Sequence, residues 1–201
     1  MKNKDFLSTM RHSAEHVLTM AMIRLYGEKI MMAMGPSTDD GFYFDFDSQD
    51  GFKLSEDQFP KIETEINKII QENIPFVHAE IDAGEARKLF KNNPYKLEWI
   101  EDIEKRKEKA SIYKTGEFVD LCSGPHVSKT GDIGAIKLLS IAGAYWHGSE
   151  KNKMLTRIYG TTFPTQKELD EWLAMQEEAK KRDHRVIGKN LDLFVFSDLV
   201  G

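Results

Sequence analysis

A Gly124-Pro125 pair stands between the chain's only cysteine and a histidine, in the run Asp120-Leu121-Cys122-Ser123-Gly124-Pro125-His126. Proline has no backbone N–H, and the residue before it is driven out of the α region. The run cannot be a regular helix, so Cys122 and His126 must sit on a sharply bent loop. A thiol and an imidazole on one loop make half of a metal site or half of a catalytic site. A second half lies near the start of the chain, in His12-Ser13-Ala14-Glu15-His16.

One cysteine cannot form an internal disulfide, which fits a reducing cytosol and leaves Cys122 free for chemistry. With 201 residues, 40% of them apolar, the chain can build one large domain or two small ones around a real core. No apolar run approaches the ~20 residues needed to span a bilayer. The charged start, Met1-Lys2-Asn3-Lys4-Asp5, has no apolar core of a signal peptide behind it. The expected location is cytoplasmic. The net charge of −5 argues mildly against a wide nucleic-acid face. Two local basic groups remain, Lys151, Lys153 and Arg157, and Lys180, Lys181, Arg182, His184, Arg185 and Lys189. They suit phosphates or, more plainly, solvated faces.

Spacing predicts a helix over 8–26, capped by Ser8 or Thr9, with Leu7, Met10, Ala14, Val17, Leu18, Ala21, Met22 and Leu25 as its apolar stripe. His12 and His16 then lie one turn apart beside the stripe. Strands are expected at 30–34 and 42–47. The next helix covers 55–73, opened by a Ser55-Glu56-Asp57-Gln58 capping box. Beyond it come a strand at 75–81, helices at 83–90 and from Pro94 to about Glu101, and a charged turn at 105–110. A hairpin at 112–121 delivers the central loop. Strands at 133–141 and 155–162 precede a helix opened by a second capping box, Thr165-Gln166-Lys167-Glu168, that runs to about residue 183 or 187. Its candidate contacts are Leu169, Trp172, Leu173, Met175 and Ala179. A last strand is expected at 191–196. The aromatics at 42–46 read as core.

A helical His-x-x-x-His supplies two nitrogens about 6 Å apart, and the loop adds a sulfur and a third nitrogen. This donor set suits Zn²⁺. Four ligands would close a structural site, and three would leave room for an activated water. Without metal the same groups can hold and deprotonate a water.

Several ordered blocks resemble a family. They are Arg11-His12-Ser13-Ala14-Glu15-His16, Met34-Gly35-Pro36 with Gly41-Phe42-Tyr43, Pro94-Tyr95-Lys96, the run 120–126, Ala142-Gly143-Ala144-Tyr145-Trp146, and Arg157-Ile158-Tyr159-Gly160. Together they resemble the N-terminal editing region of bacterial threonyl-tRNA synthetases, within the threonyl and alanyl tRNA synthetase second additional domain family. The blocks after Lys181 resemble the linker into a class II catalytic domain.

The resemblance implies an α+β fold, antiparallel sheets with packed helices. It divides the chain into a two-part editing domain at 1–162, with an inserted subdomain at about 50–110, a linker helix at 163–190 and the start of the catalytic domain at 191–201. It implies hydrolysis of seryl-tRNA(Thr), since a pocket for threonine cannot strongly reject a substrate one methyl smaller. Carried over by position, His12, His16, Lys96, Asp120, Cys122 and His126 form the hydrolytic centre. Gly35, Tyr43, Phe44, Lys96, Asp120, Gly143, Ala144 and Tyr145 bind the aminoacyl adenosine. Phe44 stands where a tyrosine is expected. Zn²⁺ on His12, His16, Cys122 and His126 is the alanyl-type alternative, whereas the threonyl branch implies no cofactor for editing. ATP and another Zn²⁺ belong to the catalytic domain, outside these residues, through which the parent enzyme would dimerise. The resemblance leads to the expectation that the small domain usually preceding the histidine motif is missing, since the motif begins at residue 12, and that the chain is a fragment rather than a free-standing protein. Two rival functions are a free-standing alanyl- or seryl-tRNA deacylase and a zinc-stabilised tRNA-binding module without activity.

Overall fold

The computed structural model describes residues 2–182. The expected strand at 191–196, His184, Arg185 and Lys189 lie outside the described residues. The fold is α+β, as expected, with a four-stranded and a three-stranded antiparallel sheet.

Helix α1 spans Lys2–Tyr26, beginning well before Ser8. The predicted caps are instead helix-interior residues or their neighbours. Thr9 Oγ1 donates back to the Asp5 carbonyl at 2.9 Å, and Ser13 Oγ to the Thr9 carbonyl at 2.8 Å. Hydroxyls used one turn back compete for the role of cap, which misplaces the start read from sequence. The apolar stripe is as expected, with Met10, Ala14, Val17, Leu18, Ala21 and Met22 buried.

That stripe packs on the large sheet and on α2. The sheet order is β1-β2-β7-β6, where β1 is Ile30–Met34, β2 Phe42–Ser48, β6 Ala135–Tyr145 and β7 Met154–Phe163. Alternation along β2 sends Phe42, Phe44 and Phe46 into the core and leaves Tyr43, Asp45 and Asp47 on the other face. Helix α2, Phe59–Glu72, follows a short 3-10 turn opened by the Ser55/Gln58 capping box. It buries Phe59, Ile62, Ile66 and Ile69, each contributing about 1.5–3 kcal/mol.

The chain then leaves the large sheet for a second, smaller one. Strand β3, Phe76–Ile81, pairs with β4, Ala110–Thr115, which pairs with β5, Phe118–Leu121. Two helices connect β3 to β4, α3 at Ala83–Leu89 and α4 at Pro94–Arg106. Helix α4 runs past Glu101, through part of the expected charged turn. Its acids and bases meet across the helix turn, Lys105 reaching Glu101 at 3.1 Å and Asp102 at 3.3 Å, while buried Ile100 and half-buried Ile103 continue its apolar side. Lys107 closes it in the left-handed conformation.

Strand β6 also exceeds expectation. Ala142, Gly143, Ala144 and Tyr145 all pair with β7, so this segment is strand, and the turn falls at Trp146–Gly148. Helix α5, Gln166–Lys181, starts at the Thr165/Glu168 capping box. Leu169 is buried and Trp172 meets Phe163, but Met175, an expected contact, is 63% exposed. Neither Lys153 nor Arg157 is free for a phosphate. They hold Asp47 and Asp45 at 2.6 and 2.7 Å.

Candidate active site

The two motifs meet. The ligand atoms of His12, His16, Cys122 and His126 all lie within 4.8 Å of one another. Helix α1 presents His12 and His16 from successive turns. The loop after β5 presents Cys122 and His126, and its backbone is fastened to β4. Cys122 N donates to the Ser111 carbonyl at 3.0 Å, and Ser111 Oγ donates to the Cys122 carbonyl at 2.7 Å. The loop needs a glycine at 124, where φ is +67° and a Cβ would run into the Tyr113 ring. That tight passage brings the Gly124 N–H to Cys122 Sγ at 3.3 Å.

Sγ is 3.3 Å from His12 Nε2 and 3.2 Å from His126 Nε2. The His126 ring is sandwiched among neighbours, stacked on Phe76 at 4.9 Å and met edge-on by Tyr113 at 4.4 Å. Its Nδ1 lies 3.1 Å from Ser13 Oγ. The Ser13 proton goes to the Thr9 carbonyl, so Nδ1 of the neutral imidazole donates to Ser13, and Nε2 is left as an acceptor facing the thiol.

Beside this cluster lies an ion pair. Lys96 Nζ is 2.6 Å from Asp120 Oδ1, with both side chains nearly buried. Asn93 caps α4 through the Lys96 N–H, which sets Lys96 in the first turn, pointing at β5. Asp120 Oδ2 and Glu15 Oε2 each lie 3.9 Å from His16 Nε2.

Burial governs the protonation of the group. It holds His16 well below the ordinary histidine range, helped by His12 and Lys96. It lowers His126 likewise, with His16 and His12 adding to the effect. It lowers His12 against the pull of the Pro125 carbonyl and Asp120. It lifts the Cys122 thiol to about 12, despite the Gly124 N–H. Burial and the Asp120 charge push the Glu15 carboxyl well up. At neutral pH the cluster is three neutral imidazoles and a thiol.

These groups fit a metal. Tetrahedral zinc with bonds of about 2.0 Å to nitrogen and 2.3 Å to sulfur would space N and S by about 3.5 Å, near the distances found here. His16 Nδ1 is buried without a hydrogen-bond partner, the kind of nitrogen that a bound ion or water satisfies.

The cluster opens into a cleft of about 620 Å³, walled by α1, the end of β1, α4 and the loop after β5. His12, His16, Lys96, Asp120, Cys122 and Gly35 line it, whereas His126 lies behind the thiol. Tyr43, Phe44, Gly143, Ala144 and Tyr145 do not line it. Phe44 is core, stacked with Phe46. Tyr43 covers the Arg157 guanidinium at 3.7 Å. Gly143, Ala144 and Tyr145 belong to β6, the edge strand opposite β1. Sequence reasoning passed over Ser13 and Glu15 as spacers of the histidine motif. Glu15 is buried, accepts from Thr19 Oγ1 at 2.8 Å and lies so close to Gly35 that a Cβ there would collide with it. The signal was available, since two polar residues between helical histidines on a buried stripe require partners.

The α+β fold thus carries a His₃Cys cluster beside a buried Lys–Asp pair. Residues 110–159 match the family described as "Threonyl and Alanyl tRNA synthetase second additional domain". More particularly, the chain is similar over nearly its whole length to part of bacterial threonine–tRNA ligases. It is 53% identical to that of Thermotoga petrophila over 188 residues, covering 93% of this chain and 29% of the relative. It is 48% identical to those of Streptococcus pneumoniae and Streptococcus gordonii over 199 residues, 99% of this chain and 30% of each relative. The chain thus spans under a third of the length of these relatives.

Proposed function

We propose that this chain is the editing part of a threonine–tRNA ligase and hydrolyses the ester that joins serine to the 3′ end of tRNA(Thr). The observation that carries the reading is the convergence on one open cleft of the neutral imidazoles of His12 and His16, a thiol backed by His126 and a buried Lys96–Asp120 pair. The similarity to threonine–tRNA ligases supplies the substrate class.

In this reading a water sits against the cluster, and a neutral imidazole of His12 or His16 takes its proton as the oxygen attacks the ester carbonyl. The C–O bond to the ribose breaks, and the proton passes to the leaving oxygen. Serine leaves as the free acid, with the 3′ end restored. Cys122 and His126 fix the His12 imidazole, since the thiol lies between His12 Nε2 and His126 Nε2. Asp120 reads the amino or hydroxyl group of serine, and Lys96 holds the ester or ribose. Threonine is refused by the cleft wall rather than by lost contacts. A metal held by His12, His16, Cys122 and His126 would add Lewis-acid polarisation of that water.

The test is deacylation of seryl-tRNA(Thr), with threonyl-tRNA(Thr) in parallel and with and without chelator. Loss of serine with threonine spared supports the reading. His12→Ala and Cys122→Ala should each lower the rate by about 10²–10⁴ while the circular dichroism spectrum is kept. Wild-type rates in either variant would refute the assignment. Stoichiometric zinc with unfolding by chelator and no hydrolysis would favour a zinc-stabilised tRNA-binding module.

A further inference from the structure

Helix α4 carries a line of groups from the buried Lys96 outward along the cleft wall. Lys96, Trp99, Ile103 and Arg106 follow one another at steps of three and four, so they share a helix face, and all four line the cleft wall. At 1.5 Å per residue, Trp99 lies about 4.5 Å and Arg106 about 15 Å along the helix from Lys96. Trp99 is a large ring left 38% exposed. It is also braced. Trp146 meets it at 6.3 Å and 83°, and His147 at 5.5 Å and 67°. Both of those rings are pinned by Glu98, whose two carboxylate oxygens accept from Trp146 Nε1 and from the His147 ring at 2.8 Å each. Neither brace stacks parallel on Trp99, and the ring stays partly exposed on the cleft wall. Beyond the helix end, Lys107 and Lys109 form no ion pair among the described residues, and Lys109 lines the mouth of the cleft. The one acid in that stretch, Glu108, is held by Arg106 Nε at 2.8 Å.

We infer that this face is the docking track for the unpaired 3′ end of the RNA, Trp99 stacking a terminal base and Lys109 with Lys107 holding the phosphates behind it. A rigid exposed aromatic followed by unpaired cations is the pattern that binds single strands, each stacked base contributing by its π-face and each cation by a phosphate. The track begins beside Lys96, where the ester must lie, and leads outward to solvent. The cations in the last turn of α4 alone would only offset its dipole. Lys107 closes the helix, but Lys109 lies past it and lines the cleft. The inference rests on the esterase reading for the position of the ester, and its test separates the two.

The probe is an uncharged RNA minihelix ending in unpaired CCA, compared with the same helix lacking the tail, titrated against the chain by tryptophan fluorescence. The tailed RNA should quench the wild type and bind at least tenfold more tightly than the blunt one. Trp99→Ala should weaken tailed binding about tenfold and abolish most of the quench, Trp99→Phe should restore most of the affinity, and Lys109→Glu should weaken binding and flatten the salt dependence by ~0.7 in log–log slope. On the seryl minihelix both Trp99→Ala and Lys109→Glu should raise KM, with kcat within about twofold. Tailed RNA bound equally well by wild type, Trp99→Ala and Lys109→Glu would overturn the track, even if hydrolysis is intact. Binding lost in these variants of a chain that hydrolyses nothing would uphold the track and sink the esterase reading instead.

Discussion

Ser13 Oγ serves three groups at once, donating to the Thr9 carbonyl and accepting from the Val127 N–H at 3.0 Å and from His126 Nδ1. Ser13→Ala leaves the buried Val127 N–H unpaired and frees the imidazole tautomer. We expect a loss of about 1–3 kcal/mol in stability and of about 10–100-fold in deacylation, the scale seen when an outer partner of a working histidine is removed. Chemical denaturation and initial rates check both. Unchanged rates with lowered stability would reduce Ser13 to a structural role. The Lys96–Asp120 pair is harsher. Removing one member, as in Lys96→Met, strands a buried charge and should destabilise by about 3–5 kcal/mol. At this scale the histidines, the cysteine and Asp120 stood out by residue type and spacing, whereas Lys96 was named only through the family resemblance. Ser13 and Glu15 were not legible, because their roles depend on which helix face is buried, and that face is set by packing against residues far along the chain.

Titration of the cluster gives stability a pH dependence whose sign follows from burial. The three imidazoles have lowered values, so below about pH 6.5 the unfolded chain binds protons that the folded chain refuses. Stability should therefore fall on acidification through that range, by up to ~1.4 kcal/mol per pH unit for each imidazole. Glu15, with its value raised, works the other way and loses its contribution as pH rises. The Cys122 thiol, lifted to about 12 from an ordinary 9, should make stability fall between those values on the alkaline side. Denaturation midpoints of the wild type and Cys122→Ser across pH test this. An alkaline decline unchanged in the serine variant would show that it does not come from the thiol.

Among elements, the end of β1 and helix α1 share one contact that shapes the cleft. Gly35 sits where any Cβ would strike the Glu15 carboxyl. Gly35→Ala must push the β1 end away from α1, and we expect a cost of about 1–3 kcal/mol, as for overpacking a tight interior, together with a raised KM for seryl-tRNA. Thermal unfolding and kinetics measure the two. A variant with an unchanged midpoint would show that Glu15 swings aside freely. Most elements were legible from period and capping, as in α2 with its Ile62, Ile66 and Ile69 stripe. The misjudged boundaries share a cause. Helix α4 ran past its expected end because Glu101, Asp102 and Lys105 pair across a turn while Ile103 continues its apolar side, and β6 ran through Gly143 because β7 offered a partner all along its length. Local composition marks both segments as breaks, and pairing elsewhere in the fold overrides it.

For the whole molecule the open issue is what the assembled cluster does with a metal. The donors converge at distances suited to zinc, yet the thiol is held protonated by burial, so a bound ion must displace its proton. We therefore expect added Zn²⁺ to bind with release of about one proton and to raise the unfolding midpoint by mass action, which calorimetry in buffers of differing ionisation enthalpy measures. The hydrolytic rate is a separate matter. Neutral imidazoles on the cleft can already accept the proton of an attacking water. Chelator should then leave deacylation of seryl-tRNA(Thr) unchanged while it removes the added stability. A rate abolished by chelator and restored by zinc would instead make the four residues ligands first, with the imidazoles unable to serve as the base. The two halves of the site lie more than a hundred residues apart in the chain, so only the folded body assembles them. Chelator sensitivity of rate and of stability, measured on the same sample, therefore distinguishes a metal that builds this body from one that merely finds it built.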